Sequence, residues 1–232
     1  MNVLITGSSS GIGRALRDGL LAANHTVVGI ARRRQETIDR FFPVELDLSD
    51  LDSLPRAMDR LQNTHSPIDA AVCCAGRGHF GTLEQFSPSQ IRDLIDLDFT
   101  SHALVVRSLL PAMKKRRSGR IVLLGSEAAL RGTQKGTIYC AAKFALRGFA
   151  QALREETARH GIAVTLVNPG MVRTPFFDEL SFSPNRDHSC AIEPTDVAQA
   201  IHDVLQARSG TVFDEINLSP QKRVIDFKKR GD

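Results

Sequence analysis

Thr6-Gly7-Ser8-Ser9-Ser10-Gly11-Ile12-Gly13 follows directly on the apolar run Val3-Leu4-Ile5 and leads into a helical pattern, so a strand, a glycine turn and a helix start are packed into the opening of the chain. Glycines at such a turn leave no Cβ between the backbone and an approaching pyrophosphate. The helix that begins near Gly11 offers unpaired N–H groups and a positive dipole end to that anion. The arrangement is that of a dinucleotide-binding βα unit. Further strand-like runs at Asn2–Thr6, Thr26–Ile30, Val44–Leu46, Ala70–Cys73, Arg120–Leu124, Ala163–Val167 and Thr211–Ile216 alternate with helical stretches at Gly13–Ala23, Asp50–Asn63, Pro88–Lys115, Thr137–His160 and Thr195–Ala207. Alternation of this kind predicts an α/β Rossmann fold, a doubly wound parallel sheet of seven strands with helices on both faces. Ser87-Pro88-Ser89-Gln90 has the composition of a capping box with proline at the first helical position, and Ser49-x-x-Asp52 resembles a second box.

With 232 residues, 42% hydrophobic and 24% charged, the chain suits a single domain with a full core. Its 30 basic against 26 acidic residues leave +4, partly in the clusters Lys114–Arg117 and Lys228–Arg230. There is no Trp, one Tyr and no basic stripe interleaved with aromatics, so the pI of 9.1 does not point to nucleic acid. Cys73, Cys74, Cys140 and Cys190 lack disulfide or metal-ligand spacing and are expected to be free thiols in a reducing compartment, with no metal bound. No signal-peptide pattern precedes the first strand and no apolar run reaches membrane-spanning length, which leads to the expectation of a cytoplasmic protein without a membrane partner. In the long helix, Ile91, Leu94, Ile95, Val105, Val106, Leu109 and Met113 form one stripe, while Leu97, Phe99, Leu104 and Leu110 fall largely outside it. A second buried face is implied, either under loops or, as favoured here, at a subunit interface.

Tyr139 and Lys143 stand four apart on a predicted helix and so share a face. A phenol of ordinary pKa about 10 is a poor proton carrier at neutral pH. A cation ~4 Å away at an effective dielectric near ~20 favours the phenolate by about 4 kcal/mol, or about three pKa units before desolvation opposes it. Ser126, at the end of the apolar strand Arg120–Leu124, lies where a doubly wound sheet presents its ligand-binding edge, and its hydroxyl can polarise a carbonyl.

With these residues in place, the sequence resembles the short-chain dehydrogenase/reductase family, in the subgroup carrying Thr-Gly-x3-Gly-x-Gly and Tyr-x3-Lys. The resemblance runs through nearly the whole chain: Thr6–Gly13, Asp47 after the third strand, Cys73-Cys74-Ala75-Gly76 after the fourth, Ser126, Tyr139, Lys143, and Asn168-Pro169-Gly170-x-Val172-x-Thr174 after the sixth. It implies that Tyr139 is the general acid/base, that Lys143 lowers its pKa and holds the nicotinamide ribose, and that Ser126 orients the substrate oxygen. It further implies that Gly7–Gly13 cradle the phosphates, that Asp47 and Leu48 border the adenine, that Cys74, Ala75 and Gly76 approach the cofactor, and that Pro169, Gly170, Val172 and Thr174 pass the nicotinamide. A homodimer or homotetramer is implied as well. Two departures stand out. Cys73-Cys74 replaces the family's usual Asn-Asn, and Asp98 replaces an Asn that is the fourth catalytic member, losing an amide donor and adding negative charge near Lys143.

After the second strand comes Ala31-Arg32-Arg33-Arg34, with Ala31 where an NAD enzyme would carry an acid for the ribose hydroxyls. Arg32 and Arg33, helped by Ser8 or Ser9, suit a 2′-phosphate, so NADP(H) is the expected cofactor, with NAD(H) the alternative. The expected reaction is hydride transfer to or from a small-molecule carbonyl or alcohol. Met171–Glu193 falls where the family's substrate loop lies, and Phe176, Phe177, Leu180 and Phe182 are either an apolar lid there or local core. His79, Phe80 and Arg131 are candidate pocket residues, with solvated loop positions the plainer reading for His79, His188 and Arg131. Cys140 lacks a base and is not a nucleophile. A short basic tail is expected over about 220–232. The competing function is a non-catalytic NADP(H) sensor on the same fold, supported only by Asp98 and Cys73-Cys74.

Overall fold

Val3, Leu4 and Ile5 are wholly shielded from solvent, and the strand they form becomes the middle of the molecule. In the computed structural model, which describes residues 1–228, the strands are β1 (Asn2–Thr6), β2 (Thr26–Ala31), β3 (Phe41–Glu45), β4 (Ala70–Cys73), β5 (Gly119–Leu124), β6 (Ile162–Pro169), β7 (Phe182–Pro184), β8 (Glu215–Leu218) and β9 (Ile225–Phe227). Seven of them build one sheet in the order β3-β2-β1-β4-β5-β6-β8, every neighbouring pair parallel. The order reverses between β1 and β4, and a ligand crevice opens beyond the carboxyl ends of the strands at such a switch point.

Strand periodicity divides the core in two. Val3 and Ile5 of β1 and Val122 of β5 pack with Leu16, Leu20, Val197 and Ile201 on one face. Leu4, Ile121 and Leu123 pack with Met58, Val105, Leu109, Met113 and Leu146 on the other. Helices α1 (Gly11–Ala22) and α6 (Pro194–Gln206) therefore cover the first face, and α2 (Leu54–His65), α4 (Ser101–Arg116) and α5 (Thr137–Thr157) cover the second. Helix α3 (Pro88–Ile95) starts at the expected capping box, with Ser87 Oγ accepting from the Gln90 N–H at 3.2 Å and Gln90 Oε1 accepting from the Ser87 N–H at 2.8 Å.

Several boundaries differ from the sequence expectation. The long helix expected over Pro88–Lys115 is broken by a wide π turn at Asp96–Thr100, after which Asp98, Ser101 and His102 all point inward and are fully buried. Helix α2 starts at Leu54, because the Ser49 hydroxyl and N–H are both taken by Asp47 Oδ1 and leave no box at Asp52. Strand β3 begins three residues early; its Pro43, which argues against a strand, is tolerated because β3 is an edge. The last sheet strand is Glu215–Leu218 instead of Thr211–Ile216, since Val212 and Phe213 remain exposed while Ile216 and Leu218 reach the core. The basic tail is no loose end: β9 pairs antiparallel with β7 inside the segment 171–193, and residues 229–232 lie outside the described part.

The glycine turn fixes how closely α1 approaches β1. Gly7 and Gly11 have φ of +74° and +50°, and a Cβ on Gly13 would lie 2.3 Å from the Gly7 carbonyl oxygen. Gly13→Ala is expected to lower the unfolding free energy by about 1–3 kcal/mol through this overpacking, measured by urea denaturation.

Candidate active site

Helix α5 carries Tyr139 and Lys143 one turn apart on its inner face, 7% and 4% exposed. The Lys143 ammonium lies 5.6 Å from the centre of the Tyr139 ring, donates to the Leu124 carbonyl at the end of β5 (3.3 Å), and forms an ion pair with Asp98 Oδ1 at 3.1 Å. Asp98 comes from the π turn, and its other oxygen accepts the Arg77 N–H at 3.3 Å. Ser126 leaves β5 at the same edge. Its hydroxyl accepts the Ala128 N–H at 3.2 Å and lies near enough to the Tyr139 hydroxyl to favour the phenolate.

Several of the expected cofactor-binding residues contact this group or one another. A Cβ on Gly7 would lie 3.1 Å from Ala75 N and Cα, so the glycine turn rests on the loop Cys74-Ala75-Gly76. Ala75 N–H donates to Thr6 Oγ1 at 3.1 Å, and the Ala75 carbonyl accepts a hydrogen bond from His102 Nε2 at 2.7 Å. A Cβ on Gly76 would meet Asp98 Oδ1 at 2.6 Å, so only glycine lets the chain pass over the ion pair. Thr174 reaches back to the turn, its Cγ2 3.2 Å from where a Gly11 Cβ would lie, and Gly170 N–H is fixed to the Leu218 carbonyl at 2.7 Å. Val172 is buried in a bridge to Ile192, and Pro169 ends β6. Leu48 is buried; Asp47 is exposed, its carboxyl held below the usual range by the Ser49 N–H and, more weakly, by Arg32 and Arg77.

A cavity of about 420 Å³ opens beside the glycine turn, lined by Ser9, Arg14, Arg17, Arg33, Arg34, Gln35 and Glu36 among others. Of the two arginines expected at a 2′-phosphate, Arg33 lines this cavity. Ser8 is withdrawn: it is wholly buried, donates to the Ile30 carbonyl at 3.4 Å and accepts from Gln35 at 3.0 Å, leaving Ser9 as the serine that faces the cavity.

The family model described as short chain dehydrogenase matches residues 1–184. The chain belongs to the short-chain dehydrogenase family. It is 30% identical over 238 residues to the human enzyme 17-beta-hydroxysteroid dehydrogenase type 1, covering 95% of this chain and 70% of that one. It is 32% identical over 200 residues to the mouse enzyme of the same name, covering 78% of this chain and 57% of that one, so it spans little more than half of the rodent protein. Among solved structures it superposes on ElxO with NADP bound with a TM-score of 0.84 at 20% identity, covering 94% of this chain and 97% of that one, a likeness of fold. The family is one of oxidoreductases acting on hydroxyl and carbonyl groups, and both named relatives are dehydrogenases.

Within this short-chain dehydrogenase the electrostatics differ from the simple tyrosine–lysine picture. Burial pushes the Tyr139 phenol above its ordinary value; Lys143 pulls it down, Asp98 pushes it up, and the nearby Ser126 hydroxyl lowers it, with burial prevailing. The phenol expected to titrate near neutral pH therefore stands above its ordinary value in the protein alone, because burial outweighs the cation that was to lower it and Asp98 adds to the burial. Burial opposes the Lys143 ammonium, yet Asp98 and the phenol outweigh it and raise its pKa. His102 stays neutral, its pKa pushed down to about 3 by burial and by Lys143.

Some contributors escaped the sequence analysis. Asn168 was quoted there only within a motif; its Oδ1 accepts the Ser126 N–H at 3.2 Å and its Nδ2 donates to Asn217 at 3.0 Å, so a buried amide on β6 fixes the serine. The available signal was an asparagine ending an apolar run. Arg14 and Arg17, three apart just after the glycine turn, were legible in the same way. Arg131 and His188 are exposed; His79 lies with its ring 4.8 Å from Phe86. Among the described residues no cluster suits a metal ion.

Tyr139 is the only tyrosine and the chain has no tryptophan, so tyrosinate absorbance reports this residue alone. In a pH titration the wild-type midpoint is expected above that of a free phenol, and Asp98→Asn is expected to lower it by leaving Lys143 unopposed. An unchanged midpoint would show that Asp98 does not tune the tyrosine.

Proposed function

We propose that this chain is an NADP(H)-dependent oxidoreductase that transfers a hydride between the nicotinamide and a carbonyl or alcohol carbon of a small molecule. The observation that carries this reading is the convergence of Ser126, Tyr139 and Lys143 at the carboxyl edge of the sheet, beside a glycine turn in which Gly7 and Gly11 have positive φ and Gly13 has no room for a side chain. Such a cradle at the start of α1 fits a pyrophosphate. When bound, the cofactor supplies or accepts the hydride.

The chain's own residues account for the rest. Ser126, held by Asn168, orients the substrate oxygen, and in reduction Tyr139 delivers its hydroxyl proton to that oxygen as negative charge develops there. Lys143 stabilises the phenolate left behind and holds the nicotinamide ribose. Asp98 moderates this by sharing the lysine's charge. Phe176, Phe177 and Phe182 in the segment 171–193 exclude water and favour an apolar substrate. The cavity of Arg14, Arg17, Arg33 and Arg34 favours NADP(H), since guanidinium groups recognise a 2′-phosphate, while the glycine cradle serves NAD(H) equally. The NADP in the ElxO structure supports the same choice.

We further place the protein in the cytoplasm, on the support of four free cysteines, and as a homodimer or homotetramer. Leu97, Phe99, Leu104 and Leu110 are only partly buried, and Phe144 on α5 is exposed, which supports a shared face there. No described helix is long and apolar enough to cross a membrane.

The test is oxidation of NADPH and of NADH by the purified protein against a panel of aldehydes, ketones and diketones. NADPH turnover is expected to exceed NADH turnover, with Tyr139→Phe slowing it at least about a hundredfold. Arg17→Ala with Arg33→Ala is expected to raise KM for NADPH and leave that for NADH in place. Tight NADPH binding without turnover of any compound would instead make the protein a sensor.

A further inference from the structure

Five aromatic rings close on one another at the mouth of the site. Tyr139 lies 5.1 Å from Phe80 between ring centres, Phe80 lies 5.1 Å from Phe182, Phe182 lies 5.9 Å from Phe177, Phe177 lies 5.1 Å from Phe176, and Phe176 lies 6.0 Å from Tyr139. The circuit leaves no gap in its sequence of contacts. Phe176 is seated so closely on the loop after β4 that a Cβ on Gly78 would meet its Cζ at 2.5 Å. Only Tyr139 and Phe80 belong to the scaffold; the other three rings come from the segment 171–193.

That segment is held down by the C-terminal strand. Phe182 itself is a β7 residue and pairs with Phe227 of β9. The Lys228 ammonium donates hydrogen bonds to the Phe177 carbonyl at 2.6 Å, which also accepts the Leu180 N–H at 3.1 Å, and to the Asp178 carbonyl at 2.8 Å, both at the end of the short turn that carries Phe176 and Phe177, and the Lys228 N–H bonds the Ser181 carbonyl at 2.9 Å. At the other end Lys222 pairs with Asp187 at 3.1 Å, and Asn185 bonds Asp226 at 3.0 and 3.1 Å. Cationic side chains suit the carbonyl end of a helical turn.

The strand that does this buries little of its own. Ile225 is 41% and Phe227 is 74% exposed, so β9 is retained by backbone pairing and a few polar contacts. A two-stranded ribbon of this kind is marginal alone and opens at far lower free energy than the core. It is a fastening that can be released.

Resting on the proposed oxidoreductase reading, we infer that β9 and Lys228 are specificity-determining elements: they hold the five-ring enclosure shut over Tyr139, so that bulky apolar carbonyl compounds, which can replace the ring contacts they part, are favoured over small polar ones. Lys228 is a positioning residue, acting through the turn at Phe176 and Phe177.

Lys228→Met keeps the stem and removes the charged donor, and Lys228→Arg restores a donor. The first readout needs no substrate: acrylamide quenching of Tyr139 fluorescence, which is the chain's only tyrosine emission. Quenching is expected to rise in Lys228→Met and return toward wild type in Lys228→Arg, with Tm and NADPH affinity unchanged. The second is the ratio of kcat/KM for 2-tetralone to that for dihydroxyacetone, expected to fall about tenfold in Lys228→Met through KM, the worth of one charge-assisted hydrogen bond. Unchanged quenching in Lys228→Met overturns the inference, as does an unchanged ratio. A wild type that turns over neither compound while quenching still responds to Lys228 supports the fastening and counts against the oxidoreductase reading.

Discussion

Lys143 and Asp98 face each other 3.1 Å apart with almost no access to water, and separate parts of the chain are committed to keeping them so. The lysine comes from α5 and the aspartate from the π turn. The end of β5 offers the Leu124 carbonyl to the ammonium, and the loop after β4 supplies the Arg77 N–H to the carboxylate. Gly76 passes over the pair with no side chain to intrude. Losing one member of such a pair strands a charge in a low-dielectric interior at a cost of about 3–5 kcal/mol. The carboxyl edge of the sheet is thus held in one arrangement by electrostatics as well as by packing. It also explains why the tyrosine beside it is harder to ionise than its lysine neighbour alone would make it.

The two halves of the crevice are built to different standards. On the cofactor side, the glycine turn lies between β1 and α1, against the backbone of Ala75, and is backed by wholly buried residues such as Val3, Ile5 and Leu16. Across from it, an aromatic circuit is suspended from a two-stranded ribbon with exposed side chains. A common ligand bound in one way calls for the first kind of wall. A surface that must admit and release molecules calls for the second, where opening is inexpensive.

The sheet was legible because buried parallel strands appear as short apolar runs between glycine turns and helical patterns, and β1, β2, β4, β5 and β6 fall within a residue or two of their expected places. Where burial is partial the signal fails. Phe41-Phe42-Pro43 reads as a poor strand yet serves at an edge, and Thr211-Val212-Phe213 reads as a good strand yet stays in solvent. Tyr139 and Lys143 were visible as a pair because helical spacing is local. The approach of Asp98 to that pair was implied by the family resemblance alone, since it depends on how a π turn, which no apolar periodicity announces, rotates a residue inward. The meeting of Phe80, Phe176, Phe182 and Phe227 was hidden, being contacts between stretches far apart in the chain.

Cys74, half-buried beside the wholly buried Cys73, shows how desolvation restrains a thiol. It lies on the loop that fronts the cofactor cradle, within reach of the Lys143 charge, a position that elsewhere would make a thiol reactive. Burial instead pushes its pKa to about 12, against the pull of the lysine, and Cys73 beside it is raised as well. Thiolate, the form that alkylating agents and peroxides attack, is then almost absent at neutral pH. The loop that fronts the cradle carries its sulfur in a form that electrophiles and oxidants do not consume.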